Sequence, residues 1–301
     1  MQEYLETRER ELHETNEFED DAFPLGIYTA TPYKMEPPGR GHLDMHWHEE
    51  IQFTLLIRGR MKMQVNGVIY NVGPSEAVFV NRNCVHMTYD MSEDACYVSI
   101  AFPYKILGFF TGSRMEQEEV LPYVNYFSMP SLLFNNQEKW MRKVLDLLWD
   151  IQTLFRDRGA LHREYRISLM LNTVWLTMLE NCEEMRQESG HGNIQRLDRV
   201  KAMLTYVADH YMEKISVSDM AEAAGISESE CSRCFHDMTG KSPKQYLLDY
   251  RVTRAAELLN QTDDPVTSIA MDTGFGDTSY FVQYFRKKMG VTPREYRMRG
   301  K

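Results

Sequence analysis

Three histidines in the first third of the chain form the clearest group of side chains that could bind a ligand. His46 and His48 lie two residues apart, Gln52 follows four residues later, and His86 lies further along. Because side chains two apart on a β-strand point to the same face, His46 and His48 are expected to share one face. Imidazole is a common metal ligand and also lines polar pockets. The spacing therefore predicts an internal binding site for either a metal ion or a small molecule.

Two cysteines, Cys231 and Cys234, have the other spacing that is typical of metal or redox sites. Residues three apart on a helix lie side by side, and no second Cys or His pair follows at zinc-finger distance. We therefore interpret them as one core and one surface cysteine. The sequence contains no nucleophile–base pair, phosphate-binding loop or paired carboxylates, so we predict that the protein is not an enzyme and uses no cofactor.

Charge is distributed unevenly along the chain, whose net charge is −10. Residues 1–194 carry 18 Lys and Arg against 29 Asp and Glu, whereas residues 195–301 carry 16 against 15. In the last 16 residues, seven basic side chains accompany a single acid, Glu295. The C-terminal part therefore offers a local basic surface for phosphates.

The length of 301 residues predicts two compact units, each large enough to bury its own core. Short alternating runs from residue 23 to about residue 102 predict strands. The clearest are residues 61–65 and 68–72, which Asn66-Gly67 joins in a hairpin because this dipeptide suits a two-residue turn.

Helical periodicity replaces the strand pattern from Gln137 onward. It predicts one amphipathic helix and then a second from about Leu161 to Arg186. A polar stretch with two glycines follows, which is typical of a connector. The predicted segments are an N-terminal arm (1–22), a strand-rich domain (23–136), a helical region (137–186), a linker (187–194) and a C-terminal domain (195–301).

The C-terminal domain contains an internal repeat with an offset of 49 to 50 positions. Each copy predicts a short helix, a turn at a glycine and a second helix, which is helix-turn-helix spacing. Three sites predict helix starts: Ser216 with Asp219, Ser227 with Glu230 as a capping box, and Asp277 as an N-cap. A long helix, from about Pro243 to Asn260, is predicted between the two copies. The matched positions are Ala221 with Ala270, Gly225 with Gly274, Phe235 with Phe285, Gly240 with Gly290, Pro243 with Pro293 and Tyr246 with Tyr296.

This pattern resembles the DNA-binding domain of AraC/XylS-type transcription regulators. The resemblance implies double-stranded DNA as a partner, with the second helix of each module in the major groove. Gln283 departs from the pattern, since these proteins often carry Arg there. The residues that carry the resemblance include Ile215 to Ala221, Ala224 to Ser227, Gly240-Lys-Ser-Pro243, Gly274 to Phe281 and Pro293-x2-Tyr-Arg297.

Solvent-side residues in the N-terminal half of each second helix are expected to reach DNA. Arg233 could read guanine and Gln283 adenine, while some of these side chains would reach only phosphate. The predicted DNA-binding residues are Ser229, Ser232 and Arg233 in the first module, Thr278, Ser279, Val282 and Gln283 in the second, and Arg286, Lys287 and Lys288 as phosphate contacts.

The segment from about residue 24 to 100 resembles the cupin pattern, carried by Gly41-x4-His46-x-His48-x3-Gln52-x6-Gly59 and by His86. In metal-binding cupins, His, His, Glu and a later His converge inside the barrel, and here Gln52 replaces the glutamate. A neutral amide is a poor ligand beside a carboxylate, so we predict no metal and a small-molecule pocket. The resemblance suggests a sugar or another small metabolite as the effector. The predicted contacts are His46, Trp47, His48, Gln52, Phe53, His86, Tyr89 and Tyr97. For the four aromatic residues, packing in the core is an equal alternative.

The sequence thus predicts an α+β protein: a cupin-like β-barrel (jelly roll) with a helical hairpin, then an all-α domain with two helix-turn-helix modules. The predicted function is sequence-specific transcription regulation under the control of a small-molecule, for example carbohydrate, effector. The alternatives are a cupin-type metalloenzyme with an accessory helical domain and a constitutive DNA binder with a structural barrel. The resemblance implies a homodimer through residues 137–186, and the alternative is that the apolar faces of these helices cover the barrel. RNA polymerase is a further candidate partner. Five cysteines, an odd count, and the lack of a spanning segment predict a cytoplasmic protein without a membrane partner.

Overall fold

The computed structural model describes residues 12–16, 18–40, 42–125, 129–182 and 191–300, except for the side chains of 191–194 and 300. The chain divides into two compact units, one formed by residues 13–194 and the other containing residues 195–301. No helix in the described ranges combines the length and the apolar character needed to cross a bilayer.

The described part of the first unit contains two antiparallel sheets, as the predicted α+β fold with an N-terminal barrel requires. One sheet has the order β2-β1-β8-β3-β6-β9 and the other the order β5-β4-β7. The strands are β1 Gly26–Ala30, β2 Met35–Glu36, β3 Ile51–Arg58, β4 Met61–Val65, β5 Val68–Val72, β6 Ala77–Val80, β7 His86–Tyr89, β8 Cys96–Phe102 and β9 Ser131–Phe134.

The predicted hairpin forms with its predicted register. Val65 pairs with Val68, and the two turn residues Asn66 and Gly67 have φ angles of 46° and 87°. Positive φ at both positions is what a type I′ turn requires, and its twist matches that of the flanking strands. The turn dipeptide therefore fixes the pairing of β4 with β5.

The two faces of the six-stranded sheet differ in polarity because side chains alternate along its strands. On β3, Phe53 packs in a cluster with Phe79 and Phe134 on the outer face of the sheet. Gln52 and Thr54, its neighbours on the strand, point to the interior, where they hydrogen-bond to each other. Alternation thus separates an apolar outer layer from a polar interior.

Two helices cover the outer face, as the predicted helical region requires. They are α2, Lys139–Arg156, and α3, Arg163–Asn181, preceded by a 3₁₀ turn at Tyr104–Leu107, a π-helix at Met115–Val120 and the short α1, Leu121–Asn125. Their buried apolar residues join the same cluster as Phe53. One face of each helix is therefore used to cover the barrel.

Residues 13–16, here called the N-terminal segment, dock on the barrel. His13 forms an isolated parallel bridge with Trp47, whose carbonyl accepts the backbone N–H of Glu14 at 2.8 Å. Asn16 Nδ2 donates to Glu50 Oε2 at 2.7 Å. The rest of the predicted arm through residue 11, together with residue 17, lies outside the described residues.

The second unit is built from helices. They are α4 His191–His210, α5 Val217–Ala223, α6 Glu228–Thr239, α7 Pro243–Gln261, α8 Val266–Asp272, α9 Thr278–Met289 and α10 Pro293–Gly300. The start of α4 corrects the predicted linker of 187–194, because its last four residues are already helical; residues 187–190 lie outside the described residues. Helices α5 with α6 and α8 with α9 are the two predicted modules.

Side-chain caps start the helices of both modules. Ser216 and Asp219 form a capping box at α5, and Asp277 accepts the backbone N–H of Tyr280 at 2.6 Å at α9. Ser227 caps α6, but the carboxylate of Glu230 bonds to Arg199 instead of completing a capping box. The sequence signals therefore place the helix starts correctly.

Candidate functional site

The three histidines predicted to share a site do converge inside the barrel. His46 and His86 lie opposite each other, because each backbone N–H donates to the other residue's carbonyl, at 3.0 and 2.9 Å. The ring centre of His48 lies 5.9 Å from that of His46 and 4.9 Å from that of His86. One ligand nitrogen from each ring lies within 4.8 Å of the other two, and all three side chains are buried.

One nitrogen of each ring is held by a backbone carbonyl. Nδ1 of His46 lies 2.8 Å from the Asp44 carbonyl, and Nδ1 of His86 lies 2.9 Å from the Cys84 carbonyl. Nδ1 of His48 lies 3.2 Å from the Glu50 carbonyl. Because a carbonyl oxygen only accepts, Nδ1 of His46 and of His86 carries the proton in the neutral ring, and Nε2 of each offers a lone pair.

Burial keeps two of the rings neutral. It lowers the pKa of His46, although the carboxylate of Glu14 partly opposes this effect. It lowers the pKa of His86 well below its usual value, and the neighbouring His46 and His48 lower it further. Neutral imidazoles are the form that binds metals.

Glu14, in the N-terminal segment, supplies a carboxylate to this cluster. Its Oε2 lies 3.3 Å from Nε2 of His46, and its Oε1 accepts the backbone N–H of Arg40 at 2.9 Å. No sequence signal pointed to Glu14, since it lies outside the cupin pattern and reaches the histidines only through docking of the segment.

Gln52 occupies the position of the cupin glutamate and hydrogen-bonds inside the cluster. Its Oε1 lies 3.1 Å from Nε2 of His48, and its Nε2 donates to Thr54 Oγ1 at 2.9 Å. The expectation of no metal rested on this glutamine alone. The three imidazole nitrogens that lie within 4.8 Å of one another could hold a divalent transition metal as a fixed positive charge, whereas Glu14 approaches His46 alone.

A small cavity opens beside the histidines. Its volume open to water is about 20 Å³, enough for roughly one water molecule. Thr88 and Ser99 lie two residues from His86 and Tyr97, so strand alternation could have identified them from the sequence. The lining residues are Glu14, Asn16, Tyr28, Met35, Arg40, His46, Gln52, Met63, His86, Thr88, Tyr97 and Ser99.

Four of the predicted effector contacts line the cavity, namely His46, Gln52, His86 and Tyr97. The Tyr97 hydroxyl lies 3.2 Å from Thr88 Oγ1, and burial raises its pKa to about 12, so it stays protonated. His48 borders the cavity through its contact with Gln52.

The other three predicted contacts need correction. Phe53 lies on the outer face of β3, in the apolar cluster, because it alternates with Gln52. Trp47 likewise alternates with His46 and His48, and its ring lies 6.2 Å from that of His13. Tyr89 is half-buried at the end of β7, outside the cavity lining.

The two recognition helices, α6 and α9, expose most of the predicted DNA-binding residues. In α6 these are Ser229, Ser232 and Arg233, while Phe235 faces the core with 0% exposure. In α9 the solvent-exposed residues are Ser279, Gln283, Arg286 and Lys287, and the partly exposed ones are Thr278 and Val282. Their helical spacing separates a polar outer face from the apolar inner face.

Lys288, predicted as a phosphate contact, has a structural partner. Its Nζ lies 2.9 Å from Oδ2 of Asp249 on α7, and Lys241 binds the same oxygen at 2.6 Å. Tyr284 of α9 donates to Oδ1 of Asp249 at 2.9 Å. Burial raises the pKa of Asp249, but the two ammonium groups outweigh it and the net shift is downward. This network ties α9 to α7 and corrects the assignment of Lys288.

Cys231 and Cys234 are both buried, with 0% and 5% exposure. Residues three apart share one helix face, and on α6 that face is the inner one. The prediction of one core and one surface cysteine is therefore wrong. Within the described ranges, the cysteines are free thiols.

Two protein-family models match the chain. The helix-turn-helix domain model covers residues 220–299, and the cupin domain model covers residues 34–101. The first match spans both modules and the second spans the histidine cluster.

Curated relatives match nearly the whole chain. The uncharacterized HTH-type transcriptional regulator YdeC of Bacillus subtilis is 29% identical over 96% of this chain and 97% of YdeC. The HTH-type transcriptional activator RhaS of an Enterobacter species is 25% identical over 95% of this chain and 96% of RhaS. Among solved structures, ToxT of Vibrio cholerae aligns with 91% of this chain and 97% of its own at 12% identity and a TM-score of 0.47. The DNA-binding domain of AdpA in complex with a target DNA aligns with 34% of this chain and 91% of its own at 29% identity and a TM-score of 0.32.

A cupin barrel followed on one chain by two helix-turn-helix modules defines a DNA-binding transcription regulator. The two family models and the regulators among the relatives confirm the resemblance to AraC/XylS-type regulators with an N-terminal cupin domain that the sequence predicts.

Proposed function

We propose that the C-terminal unit binds two successive major grooves of one asymmetric DNA site, and that an effector in the barrel controls this binding. The observation that carries the proposal is the pair of exposed helix faces that α7 joins. Helix α7 has 19 residues, so it spans about 28 Å at 1.5 Å per residue. Successive major grooves on one side of DNA lie about 34 Å apart. The length of α7 and the width of the two modules together span this distance.

The two recognition surfaces differ in chemistry, which supports two unlike half-sites. The outer face of α6 carries Arg233, whose guanidinium suits guanine, and Ser232. The outer face of α9 carries Gln283, whose amide suits adenine, and Ser279. Each face would therefore select its own base sequence.

Footprinting with the full-length chain on a selected DNA site tests this arrangement. Arg233→Ala should relax base preference in one half-site at a cost of about 1–3 kcal/mol, and Gln283→Ala should do so in the other, about 10 base pairs away. Lys214→Ala, an exposed lysine before α5, is the control and should leave both half-sites unchanged. Loss of preference at the same base pairs in both variants would overturn the two-groove arrangement.

The barrel cavity supports a small polar effector, because its lining combines histidines with hydroxyl and amide groups. A pocket for a metabolite usually measures about 300–1,000 Å³, far more than the 20 Å³ open to water here. The proposed effector therefore needs side chains that line the cavity, such as Glu14 and Asn16, to move aside. Sugars and other small metabolites are the class to screen.

A thermal-shift screen of small metabolites against the full-length chain tests effector binding. A true ligand should raise the melting temperature of the chain and lose affinity in Tyr97→Phe, which removes a cavity hydroxyl. Tyr104→Phe, whose ring lies outside the cavity lining, should bind like the original protein. If every stabilising compound acts equally on Tyr97→Phe and the original chain, the effector does not bind this cavity.

The exposed face of α3 supports a homodimer. Tyr165, Leu169 and Leu176 are 72%, 52% and 54% exposed and lie along one side of the helix, opposite the side that covers the barrel. Exposed apolar groups of this kind mark association surfaces.

The regulatory names of the relatives support a non-catalytic role, while RNA polymerase contact and a cytoplasmic location remain predictions from the family.

A further inference from the structure

The carboxylate of Asp249 lies where the two modules meet the helix that joins them. We propose that Asp249 holds the recognition helix α9 in a fixed orientation on α7, and that it thereby sets the spacing between the two DNA half-sites. This inference rests on the proposed binding of two major grooves. It gives a role in specificity to a buried acid, which is only 6% exposed and repels phosphate.

Three elements of the C-terminal unit meet at this carboxylate. Asp249 itself lies on α7, and its Oδ2 binds Nζ of Lys241, in the connection that leaves α6, at 2.6 Å. From α9, Nζ of Lys288 donates to the same oxygen at 2.9 Å, and the Tyr284 hydroxyl donates to Oδ1 at 2.9 Å. On α7, Nε2 of Gln245 donates to the Tyr284 hydroxyl at 2.7 Å. The first module, the joining helix and the second recognition helix therefore share one set of polar contacts.

These contacts fix the direction in which α9 presents its outer face. Tyr284 directly follows Gln283, so their side chains point about 100° apart around the helix. Gln283 is solvent-exposed, whereas Tyr284 is half-buried, and its ring centre lies 6.4 Å from that of Phe275 in the turn of the same module. Anchoring Tyr284 on Asp249 therefore determines where Gln283 points relative to α7.

The charges around Asp249 make the orientation of α9 sensitive to loss of this acid. Lys241 and Lys288 bind one carboxylate oxygen, so their ammonium groups lie close together. Burial lowers the pKa of Lys241, and the charge of Lys288 lowers it further, while Asp249 opposes both effects. Without the carboxylate, the two like charges would repel each other between the first module and α9. An amide in place of Asp249 should therefore loosen α9 on α7.

The spacing between half-sites depends on the orientation of α9 because DNA is a helix. One added base pair moves the second half-site about 3.4 Å along the DNA axis and rotates it by about 35°. Two rigidly joined modules cannot follow this change. Loosely joined modules can follow it, but they lose the affinity that comes from presenting both surfaces in the right geometry. Asp249 should therefore control the tolerated spacing and not the base sequence of either half-site.

Binding titrations of the full-length chain on two duplexes test this role. The first duplex is selected from a random pool, and the second has one base pair added between its half-sites. The original chain should bind the longer duplex about tenfold more weakly or worse. In Asp249→Asn this ratio should fall to about threefold or less, and the selected duplex should itself bind more weakly. Tyr284→Phe, which keeps every charge of the network, should give an intermediate ratio.

Asp272→Asn is the matched control for these titrations. Asp272 is an exposed acid of the second module and accepts the Ser268 hydroxyl at 3.0 Å within α8. The same chemical change is thus made at a contact inside a single helix. This variant should show the same ratio as the original chain, and circular dichroism confirms that each variant is folded.

A distance measurement without DNA tests the orientation of α9 directly. Nitroxide labels are coupled to p-acetylphenylalanine at the positions of Ser232 on α6 and Ser279 on α9, which are both exposed. Electron-spin resonance should show one narrow distance distribution in the original chain and in Asp272→Asn. The distribution should be broader in Asp249→Asn.

The outcomes separate this inference from the two-groove arrangement. Equal ratios, or equal distance distributions, in the original chain and Asp249→Asn would overturn the role of Asp249 and leave the two-groove arrangement standing. If Asp249→Asn does not fold, Tyr284→Phe decides, and a ratio equal to that of the original chain would overturn the role. If the original chain binds both duplexes equally well, the two-groove arrangement fails and this inference fails with it.

Discussion

Gly225 and Gly274 occupy the same turn position in the two modules, yet alanine should destabilise them by different amounts. Both have positive φ, +64° and +79°. A Cβ at Gly225 would meet nothing within 4 Å. A Cβ at Gly274 would lie 2.6 Å from the carbonyl oxygen of Tyr211 and 2.9 Å from Nε of Arg251. Real Cβ atoms do not approach backbone oxygens so closely, so the structure around Gly274 must shift.

The magnitudes follow from these contacts. Left-handed backbone costs a residue with a Cβ about 1–2 kcal/mol, and this cost applies at both positions. At Gly274 the Cβ also displaces the hydrogen bond from Arg251 to the Tyr211 carbonyl, now 2.7 Å long, and a bond to a charged group contributes about 1.5–3 kcal/mol. Gly274→Ala should therefore destabilise the C-terminal unit by about 3 kcal/mol or more, and Gly225→Ala by only about 1–2 kcal/mol.

Thermal unfolding of the full-length chain, followed by two probes, measures the difference. The four tryptophans all lie in residues 13–194, so their fluorescence reports the first unit, whereas far-UV circular dichroism reports both. The midpoint temperature of the circular dichroism transition should be roughly 8 °C or more lower in Gly274→Ala than in Gly225→Ala. The reason is that 1 kcal/mol corresponds to about 4–8 °C in a domain of this size. The tryptophan transition is the internal control. Equal shifts in the two variants would refute the packing argument.

Three further predictions concern other contacts. Lys287→Ala should reduce the salt dependence of DNA binding by about 0.9 in the log–log slope, while Lys288→Ala should instead lower the melting temperature, because it removes a partner of the buried Asp249. Binding titrations at several salt concentrations and thermal melts separate the two; a slope that falls equally in both variants would contradict the assignment. Asp277→Ala should cost about 1 kcal/mol in denaturant unfolding, because it removes the N-cap of α9. Leu169→Glu should convert the proposed dimer to a monomer in sedimentation experiments, and an unchanged sedimentation coefficient would exclude this face as the interface.

Local chemistry in the sequence was sufficient for most of the fold. The Asn66-Gly67 dipeptide set the hairpin register because few other residues accept positive φ at both turn positions. Ser216 and Asp277 marked helix starts because a cap acts within three residues of itself. The repeat at Gly225 and Gly274 identified the two modules, since each module is assembled from contacts between neighbours in sequence.

Contacts between distant residues could be assigned only from the tertiary structure. Alternation showed that His46 and His48 share a face, but it did not show that Glu14, 32 residues before His46, would approach it. The partner of Lys288 is Asp249, on another helix, so the sequence alone suggested a free basic side chain. The sequence predicts Phe53 as a pocket residue because the pattern shows that it lies on a strand. The pattern does not show which face of that strand points inward. Short-range rules act through a few covalent bonds, whereas each of these assignments depends on which surfaces the folded chain brings together.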